Sequence, residues 1–286
     1  MFKYKINFIN LSKFTLPISI FLCIISILII SKNNINLGLE FTGGIEIELE
    51  SNDIVNIDII KKKLQKIKDI KLKYYGTKKN IKIKTKHSND INIKDEIQTI
   101  LNSELGNNIK IKYIDYIGSE ISNSTIKNTL KAIIIAIISM IIYLSYRFHY
   151  KYAISATITL VHDLLLIIGL LSILQIEFNI TTLAALFAIF GYSINDTVVV
   201  FDRIRENIKL YKKKNIKQII NISINNTLSR TLITSISTLF ITIILMSITG
   251  QNLYGFSFVL FSGIIIGTYS SICIAAIITI YLFKIE

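Results

Sequence analysis

The most chemically informative residue in this sequence is an aspartate within an apolar stretch. Asp196 lies in the run 180–201, which is long enough to cross a membrane and contains no other charged residue. A carboxylate in hydrocarbon costs several kcal/mol unless it faces protein or water, so such residues are rare and usually functional. The sequence therefore predicts a functional, proton-titratable group at Asp196, with a purely structural role as the alternative.

Two further charged residues lie near the same depth. Helical rise places Asp196 roughly 22 Å from the outer end of its run and Arg230 at the inner end of the next one. A pair between them, direct or through water, is therefore allowed. Asp163 lies about 16 Å into the run 152–176, near its middle. These three residues are the candidates for a proton relay.

Other roles for these residues stay open at this point. Arg230 could be an interfacial anchor, and Asp163 could be a structural residue that hydrogen-bonds between helices. His162 is interpreted as a packing residue rather than a ligand. The hydroxyls that follow Arg230 along its helix could line a polar path or pack against a neighbour; they belong to Thr234, Ser235 and Ser237.

The elements that position these residues are predicted to be membrane helices. The chain has 286 residues, of which 51% are hydrophobic, and its mean hydropathy is +0.54. These values indicate a polytopic α-helical membrane protein. The predicted spans are 14–30, 128–146, 152–176, 180–201, 230–249 and 253–283, with a short N-terminal segment 1–13, an outer segment 31–127 and a basic cytoplasmic loop 202–229.

Lysine and arginine in the short connections predict the orientation. They are abundant in 1–13 and 202–229, and the connections between spans three and four and between spans five and six have none. By the positive-inside rule, both termini are cytoplasmic and 31–127 is extracytoplasmic. The net charge of +13 does not indicate nucleic-acid binding, because the basic residues are dispersed or lie at membrane edges.

The outer segment has a pattern of its own. Apolar and charged residues alternate at 45–50, 70–75, 81–85 and 109–117, which predicts four strands. Helical spacing at 53–68 and 93–105 predicts two helices, and 76–80 is interpreted as a hairpin turn. The order strand, helix, strand, strand, helix, strand predicts a small ferredoxin-like α+β domain.

Several classes of function find no support in the sequence. It contains no nucleophile–base set, no phosphate-binding glycine loop and no metal-spaced cluster, so we expect no enzyme activity, no cofactor and no metal. Cys23 and Cys273 lie far apart in apolar runs and are expected to be inert thiols. Gly263 and Gly267 form a GxxxG pattern, which is typical of helix packing.

Four motifs resemble those of the SecD/SecF family. They are GLEFTGG at 38–44, LVHD at 160–163, GYSINDTVVVFDRIREN at 191–207 and LSRTLITS at 228–235. The third motif is highly specific and resembles the SecF-type members. One departure is Glu40, where the family usually has aspartate with the same charge. The residues that match are Gly38, Phe41, Thr42, Gly43, Gly44, Gly191, Tyr192, Asn195, Asp196, Asp202, Arg203, Arg205, Glu206, Asn207 and Arg230.

The resemblance carries functional expectations. It implies membership of the resistance-nodulation-division superfamily, a multi-pass location in the bacterial inner membrane, and a partner, SecD. It further implies association with the SecYEG channel, in many bacteria with YajC, and with translocating unfolded preprotein, whose export the proton-motive force assists. Asp196 and Arg230 match the family's transmembrane acid and arginine. Two alternatives remain: one half of a proton-coupled small-molecule exporter, and a passive assembly factor of the translocon.

Overall fold

The protein consists of two compact units. The computed structural model describes residues 6–51, 57, 60–61, 70–75, 77–85 and 109–283. We call Met1–Asn36 together with Ile133–Glu286 the helical unit, and Leu37–Ala132 the sheet unit. The candidate relay residues all belong to the helical unit.

Within the described residues, six helices are long and apolar enough to cross a membrane. This agrees with the predicted polytopic fold. The sixth is interrupted by a π-helical segment, and a four-residue helix, α2, follows the first. The bounds are α1 Phe8–Asn33, α2 Leu39–Thr42, α3 Ser119–Arg147, α4 Tyr150–Leu174, α5 Ile180–Leu210, α6 Ile216–Ile248, α7 Gln251–Ser270, the π-helical segment Ser271–Ala275 and α8 Ala276–Phe283.

Asparagine side chains cap several of these helices. Asn179 accepts a hydrogen bond from the backbone N–H of Thr182 at 2.9 Å, and Thr182 Oγ1 accepts one from the backbone N–H of Asn179 at 2.8 Å. This reciprocal capping box fixes the start of α5. Asn215 caps α6 through the N–H of Lys217. Satisfying these otherwise unpaired N–H groups sets where the two helices begin.

The helices extend beyond the predicted spans. Helix α5 continues to Leu210 and α6 begins at Ile216, so only 211–215 separates them, whereas the sequence predicted a loop over 202–229. Asn207 Nδ2 donates to Ser223 Oγ at 2.8 Å and joins the two extensions. Helices α1 and α3 likewise begin earlier, at Phe8 and Ser119. Apolar runs mark the hydrocarbon core, while polar residues can continue a helix into water.

The π-helical segment in the sixth span is stabilised from a neighbouring helix. The carbonyl oxygen of Ala275 accepts a hydrogen bond from Ser155 Oγ of α4 at 2.6 Å and another from Thr279 Oγ1 at 2.9 Å. A π-bulge shifts the i→i−4 pattern, and such bulges often occur at functional sites. This one directly follows Ser270, which belongs to the site described below.

Close helix contacts in the helical unit depend on glycine. A Cβ added at Gly263 would lie 2.6 Å from Ile189 Cγ1, and one at Gly267 would lie 3.2 Å from Ser193 Cβ. Helices α5 and α7 are therefore packed too closely at Gly263 for any larger residue. This is the packing role that the GxxxG pattern predicted.

The sheet unit contains a four-stranded antiparallel sheet. Its strands are β1 Gly44–Ser51, β2 Lys71–Tyr75, β3 Thr77–Thr85 and β4 Ile109–Ile117, in the spatial order β2-β3-β1-β4. This order matches the predicted ferredoxin-like sheet. Strand β3 begins at Thr77, within the segment predicted as a turn. The predicted helices 53–68 and 93–105 lie almost entirely outside the described residues.

The two faces of this sheet differ completely. Ile47 pairs with Ile83 and Leu49 with Ile81, and all four are buried in one apolar cluster. On the opposite face, Glu46 lies between two lysines, with its carboxylate oxygens 2.5 Å from Lys82 Nζ and 2.8 Å from Lys84 Nζ. The strict alternation of β1 produces both faces.

Ion pairing shifts the pKa values of the acidic and basic groups on the charged face. Burial alone would raise the pKa of Glu46, but the hydrogen bonds and charges of Lys82 and Lys84 outweigh burial, so its pKa lies below the ordinary value. Burial alone would lower the pKa of Lys82, but its contacts with Glu46 and Glu48 raise it. Both groups are therefore held in their charged forms.

Candidate functional site

Two aspartates are buried in the middle of the helical unit. Asp163 on α4 is 2% exposed and Asp196 on α5 is 4% exposed. Both are buried, and an unpaired charge in a buried site is expensive. Their surroundings nevertheless differ in how many hydrogen-bond donors they supply.

Asp163 has partners on both of its carboxylate oxygens. Oδ2 accepts hydrogen bonds from Ser193 Oγ at 2.9 Å and from Ser270 Oγ at 2.8 Å. Oδ1 lies 2.9 Å from His162 Nδ1. Because Ser193 belongs to α5 and Ser270 to α7, one side chain joins three membrane helices.

His162 takes part in this cluster rather than merely packing. Its Nδ1 is the Asp163 partner, and its Nε2 is buried with no hydrogen-bond partner within the described part of the chain. Sequence reasoning missed this contact, since adjacent residues on a helix do not share a face. It also missed Ser193 and Ser270 as site residues, although Ser193 lies inside the specific motif.

Asp196 has fewer hydrogen-bond donors around it than Asp163. Its Oδ2 is buried and has no hydrogen-bond partner among the residues described. Arg230, an exposed residue of α6, is near enough to act on Asp196 by a Coulombic interaction. The salt bridges of the described residues do not include a direct Asp196–Arg230 ion pair, so of the two predicted arrangements the direct one is not observed.

The hydroxyl residues after Arg230 divide between two faces of α6. Ser235 is buried and accepts a hydrogen bond from Tyr192 of α5 at 3.1 Å. It also lies 2.7 Å from Thr268 Oγ1 of α7. Thr234 and Ser237 are exposed, and Thr234 donates to carbonyl oxygens of its own helix. Only Ser235 of this set therefore contributes to the packed interior between α5, α6 and α7.

The charged end of the specific motif holds neighbouring helix ends together. Asp202 forms an ion pair with Arg147 at 3.4 Å, and Arg205 donates to the Arg147 carbonyl oxygen at 3.3 Å. Both arginines also lie over the ring of Phe148. Arg203 and Glu206 form an i,i+3 pair on α5. All of these side chains thus have partners within the protein. A planar guanidinium suits the hydrogen bond from Arg205 to the carbonyl oxygen and the contacts with the Phe148 ring better than a lysine ammonium would.

The glycine motif forms a tight turn in the sheet unit. Gly43 has φ of 64° and Gly44 has φ of 117°, a region that L-residues with a side chain rarely adopt. Gly43 ends α2 by donating its N–H to the Leu39 carbonyl oxygen at 2.8 Å. Phe41 is buried, and Glu40 lies in the first turn of α2. The motif thus directs the chain into β1.

Comparison with known proteins identifies the family. The family model described as "Protein export membrane protein SecD/SecF, C-terminal" matches residues 97–284, and the "SecD/SecF GG Motif" matches residues 29–52. The chain belongs to the SecD/SecF family. The residues matched include Asp163, Asp196 and Arg230, together with the glycine turn.

Named relatives cover nearly the whole chain. The protein translocase subunit SecF of Rickettsia prowazekii is 36% identical over 279 residues, which is 96% of this chain and 90% of the relative. SecF of Rickettsia bellii is 36% identical over 285 residues, covering 98% and 94% of the two chains. The chain is thus similar to SecF-type translocase subunits along their length.

Solved structures show the same fold. The crystal structure of SecDF from Thermus thermophilus, a translocon-associated membrane protein, matches with a TM-score of 0.90 at 28% identity. SecDF in its super-membrane-facing form matches with a TM-score of 0.73 at 27% identity. The match covers all of this chain but only 40% of the first SecDF chain. The protein is therefore a multi-pass membrane protein of the protein-transport class.

Proposed function

We propose that the chain is a SecF-type subunit that works with SecD and uses the proton-motive force to assist protein export. The observation that carries this proposal is the buried carboxylate of Asp196, which has an unpartnered oxygen and an arginine close by. A group in that state can exchange a proton without first breaking a hydrogen bond between Oδ2 and another side chain.

The energetics are adequate for coupling. An unpaired carboxylate in a buried site costs several kcal/mol, so protonation and the approach of Arg230 are alternative ways to reduce that cost. One elementary charge moving through 100 mV supplies about 2.3 kcal/mol. Alternation between the two arrangements can therefore be driven by the membrane potential.

Helix α5 offers a surface for the proposed SecD partner. Its exposed face carries small residues at helical spacing, followed by an amide at the depth of the site; they are Ala184, Ala188, Gly191 and Asn195. Small residues allow close helix approach in membranes, and an exposed asparagine there gains from a polar neighbour. We place a SecD helix on this face.

The SecD contact can be tested by crosslinking. Cysteine at Ala188 should crosslink to single-cysteine SecD in membranes, whereas cysteine at Ile244, an exposed residue of α6, is the control expected to give little product. Strong crosslinking at Ile244 with none at Ala188 would place SecD elsewhere.

The wider assembly belongs to the same proposal. SecYEG, YajC and an unfolded preprotein follow from the family resemblance, and the SecDF relative is itself described as translocon-associated. The lysine and arginine distribution supports cytoplasmic termini and an extracytoplasmic sheet unit. Reporter fusions at the two termini and within 86–108 should give opposite locations.

Export in reconstituted vesicles tests the function. We expect Asp196→Asn to reduce export to the level seen with a proton uncoupler, because an amide cannot take up and release a proton. Assembly with SecD should continue. Glu177→Gln, which removes an acid just before α5, is the control. Normal proton-dependent export by Asp196→Asn would favour a passive assembly factor, and uptake of small cations by the vesicles would favour an exporter half.

A further inference from the structure

A second buried polar group without a partner among the described residues lies on α6, the helix that follows α5. Thr231 on α6 is 1% exposed, and its Oγ1 has no hydrogen-bond partner within the described residues. Other threonines of α6 donate to carbonyl oxygens of their own helix, as Thr227 and Thr242 do. A serine or threonine hydroxyl within a helix can satisfy itself by this bond. The hydroxyl of Thr231 therefore needs a hydrogen-bond partner that the described residues do not supply.

The helix register brings Thr231 and Asp196 to the same layer. Tyr192 of α5 is hydrogen-bonded to Ser235 of α6, and the antiparallel helices meet again at Asn207 and Ser223. One helical turn from Tyr192 toward Asn207 is Asp196, and one turn from Ser235 toward Ser223 is Thr231. Each residue also shares a face with its hydrogen-bonded neighbour, since positions i and i+4 lie one above the other.

The chemistry of the two groups favours water as the shared partner. Leaving a polar atom buried and unpaired costs about 1–3 kcal/mol, so two such atoms in one layer are unfavourable. The carboxylate oxygen accepts hydrogen bonds, whereas the hydroxyl both donates and accepts. A buried water typically makes about three hydrogen bonds to such groups.

We propose that Asp196 and Thr231 hold one water molecule between α5 and α6. The water donates to the ionised carboxylate and accepts from the protonated one, while Thr231 supplies or takes the complementary hydrogen bond. Both protonation states of Asp196 are then hydrogen-bonded. This inference deepens the proposed function, on which it rests for the role of Asp196, by naming the ligand of the same site.

Other ionisable groups near this layer bear on the test. Arg230 is on α6 and Tyr192 on α5 itself, and Cys273 of the π-helical segment packs against the same apolar cluster as Ile194 and Val198 of α5. The His162–Asp163 pair of α4 is joined to α5 through Ser193, one turn from Asp196. A signal from the site must therefore be assigned with variants of Asp196 and Thr231 themselves.

Infrared difference spectroscopy of the reconstituted complex between acid and alkaline pH provides that assignment. Spectra in D₂¹⁶O and D₂¹⁸O identify an internal water by the isotope shift of its O–D band. We expect this band in the wild-type complex, its loss in Asp196→Asn and Thr231→Val, and its return in Thr231→Ser. Thr242→Val is the matched control on the same helix, because that hydroxyl is satisfied by its own backbone.

The outcomes separate this inference from the proposed function. A water band that persists in Thr231→Val, or that is absent from the wild type, overturns the water site. A carboxyl band that shifts in Thr231→Val without any water band also overturns it, because that result means a direct Asp196–Thr231 hydrogen bond. In either case, loss of proton-dependent export in Asp196→Asn would leave the proposed function standing.

Discussion

The two buried aspartates of the helical unit differ in one respect: how completely their oxygens are hydrogen-bonded. Asp163 receives Ser193 and Ser270 on one oxygen and faces His162 with the other. Asp196 retains a buried oxygen without a partner among the described residues. Two residues of the same type and similar burial are thus suited to different tasks.

On this difference we propose a structural role for Asp163 and a titrating role for Asp196. Protonating or moving Asp163 would disturb hydrogen bonds to three helices at once, which stabilises a fixed arrangement. Asp196 can change its charge state at a smaller structural cost, with Arg230 nearby to respond. We therefore propose that Asp163 lies outside the proton path, which narrows the relay predicted from the sequence.

The largest expected effect separates the two acids directly. Asp196→Asn should abolish the proton-stimulated component of export in vesicles, whereas Asp163→Asn should retain most of it, because an amide oxygen can still accept from Ser193 and Ser270. If Asp163→Asn also abolished the proton-stimulated component in a correctly assembled complex, the division of roles would be wrong.

For stability we expect the opposite order, with substitutions of Asp163 more damaging than those of Asp196. Asp163→Leu removes the carboxylate that Ser193, Ser270 and His162 contact and should lower the free energy of unfolding by about 3 kcal/mol. Asp196→Leu should cost less, since Oδ2 has no hydrogen-bond partner among the described residues and its loss leaves none of their donors without an acceptor. Thermal unfolding of the detergent-solubilised complex measures both. Equal destabilisation by the two leucine variants would argue against the comparison.

The sheet unit provides a third acid whose pairing can be tested by pH. The pKa of Glu46 is lowered in the folded state, so its stabilisation is complete above the ordinary glutamate pKa of about 4.3 and is lost as the pH falls through the lowered value. Lys82→Met should reduce this acid sensitivity, of which Lys84 keeps a part, and should remove about 2 kcal/mol of local stability. Hydrogen exchange of the β1 amides in the full chain measures it.

The control for that variant is Lys73→Met, which removes an exposed lysine opposite Lys82 on β2. We expect it to leave exchange of β1 nearly unchanged. Equal protection in Lys82→Met and wild type from pH 7 down to pH 3 would show that the charge pairing does not stabilise the sheet.

Arg230 should have an intermediate effect on export. Arg230→Lys keeps the positive charge but loses the planar guanidinium, so we expect a few-fold slower proton-dependent export. Arg230→Gln should be more severe. If Arg230→Gln matched the wild type, Arg230 would be only an interfacial anchor.

The smallest effect concerns the π-helical segment beside the Asp163 cluster. Ser155→Ala removes the hydroxyl that donates to the Ala275 carbonyl oxygen and should cost about 0.6 kcal/mol, the average for hydrogen bonds between membrane helices. Thr157→Ala is the matched control, because Thr157 donates only within α4. Thermal unfolding that ranks Thr157→Ala as the more damaging variant would contradict this assignment.

Much of this arrangement follows from the sequence because it depends on local patterns. Asp196 is conspicuous since its run has no other charge, and the alternation in β1 predicts both faces of the sheet. The partners of Asp163 are not predictable in this way, because Ser193 and Ser270 lie 30 and 107 residues away. Serine also occurs throughout these helices as a packing residue, so its type alone is not informative.

Other features were missed for different physical reasons. Hydropathy locates the hydrocarbon core and not helix ends, so 202–229 was interpreted as a loop although α5 and α6 occupy most of it. The π-helical segment Ser271–Ala275 has an ordinary apolar sequence, and its backbone depends on Ser155 from another helix. Tertiary hydrogen bonds of this kind leave no periodicity in the chain.

Infrared titration of the carboxyl C=O stretch in the reconstituted complex tests the central claim most directly. The account predicts a carboxyl band that appears and disappears with pH, is lost in Asp196→Asn and is retained in Asp163→Asn. A titrating band that survived in Asp196→Asn and vanished in Asp163→Asn would contradict it.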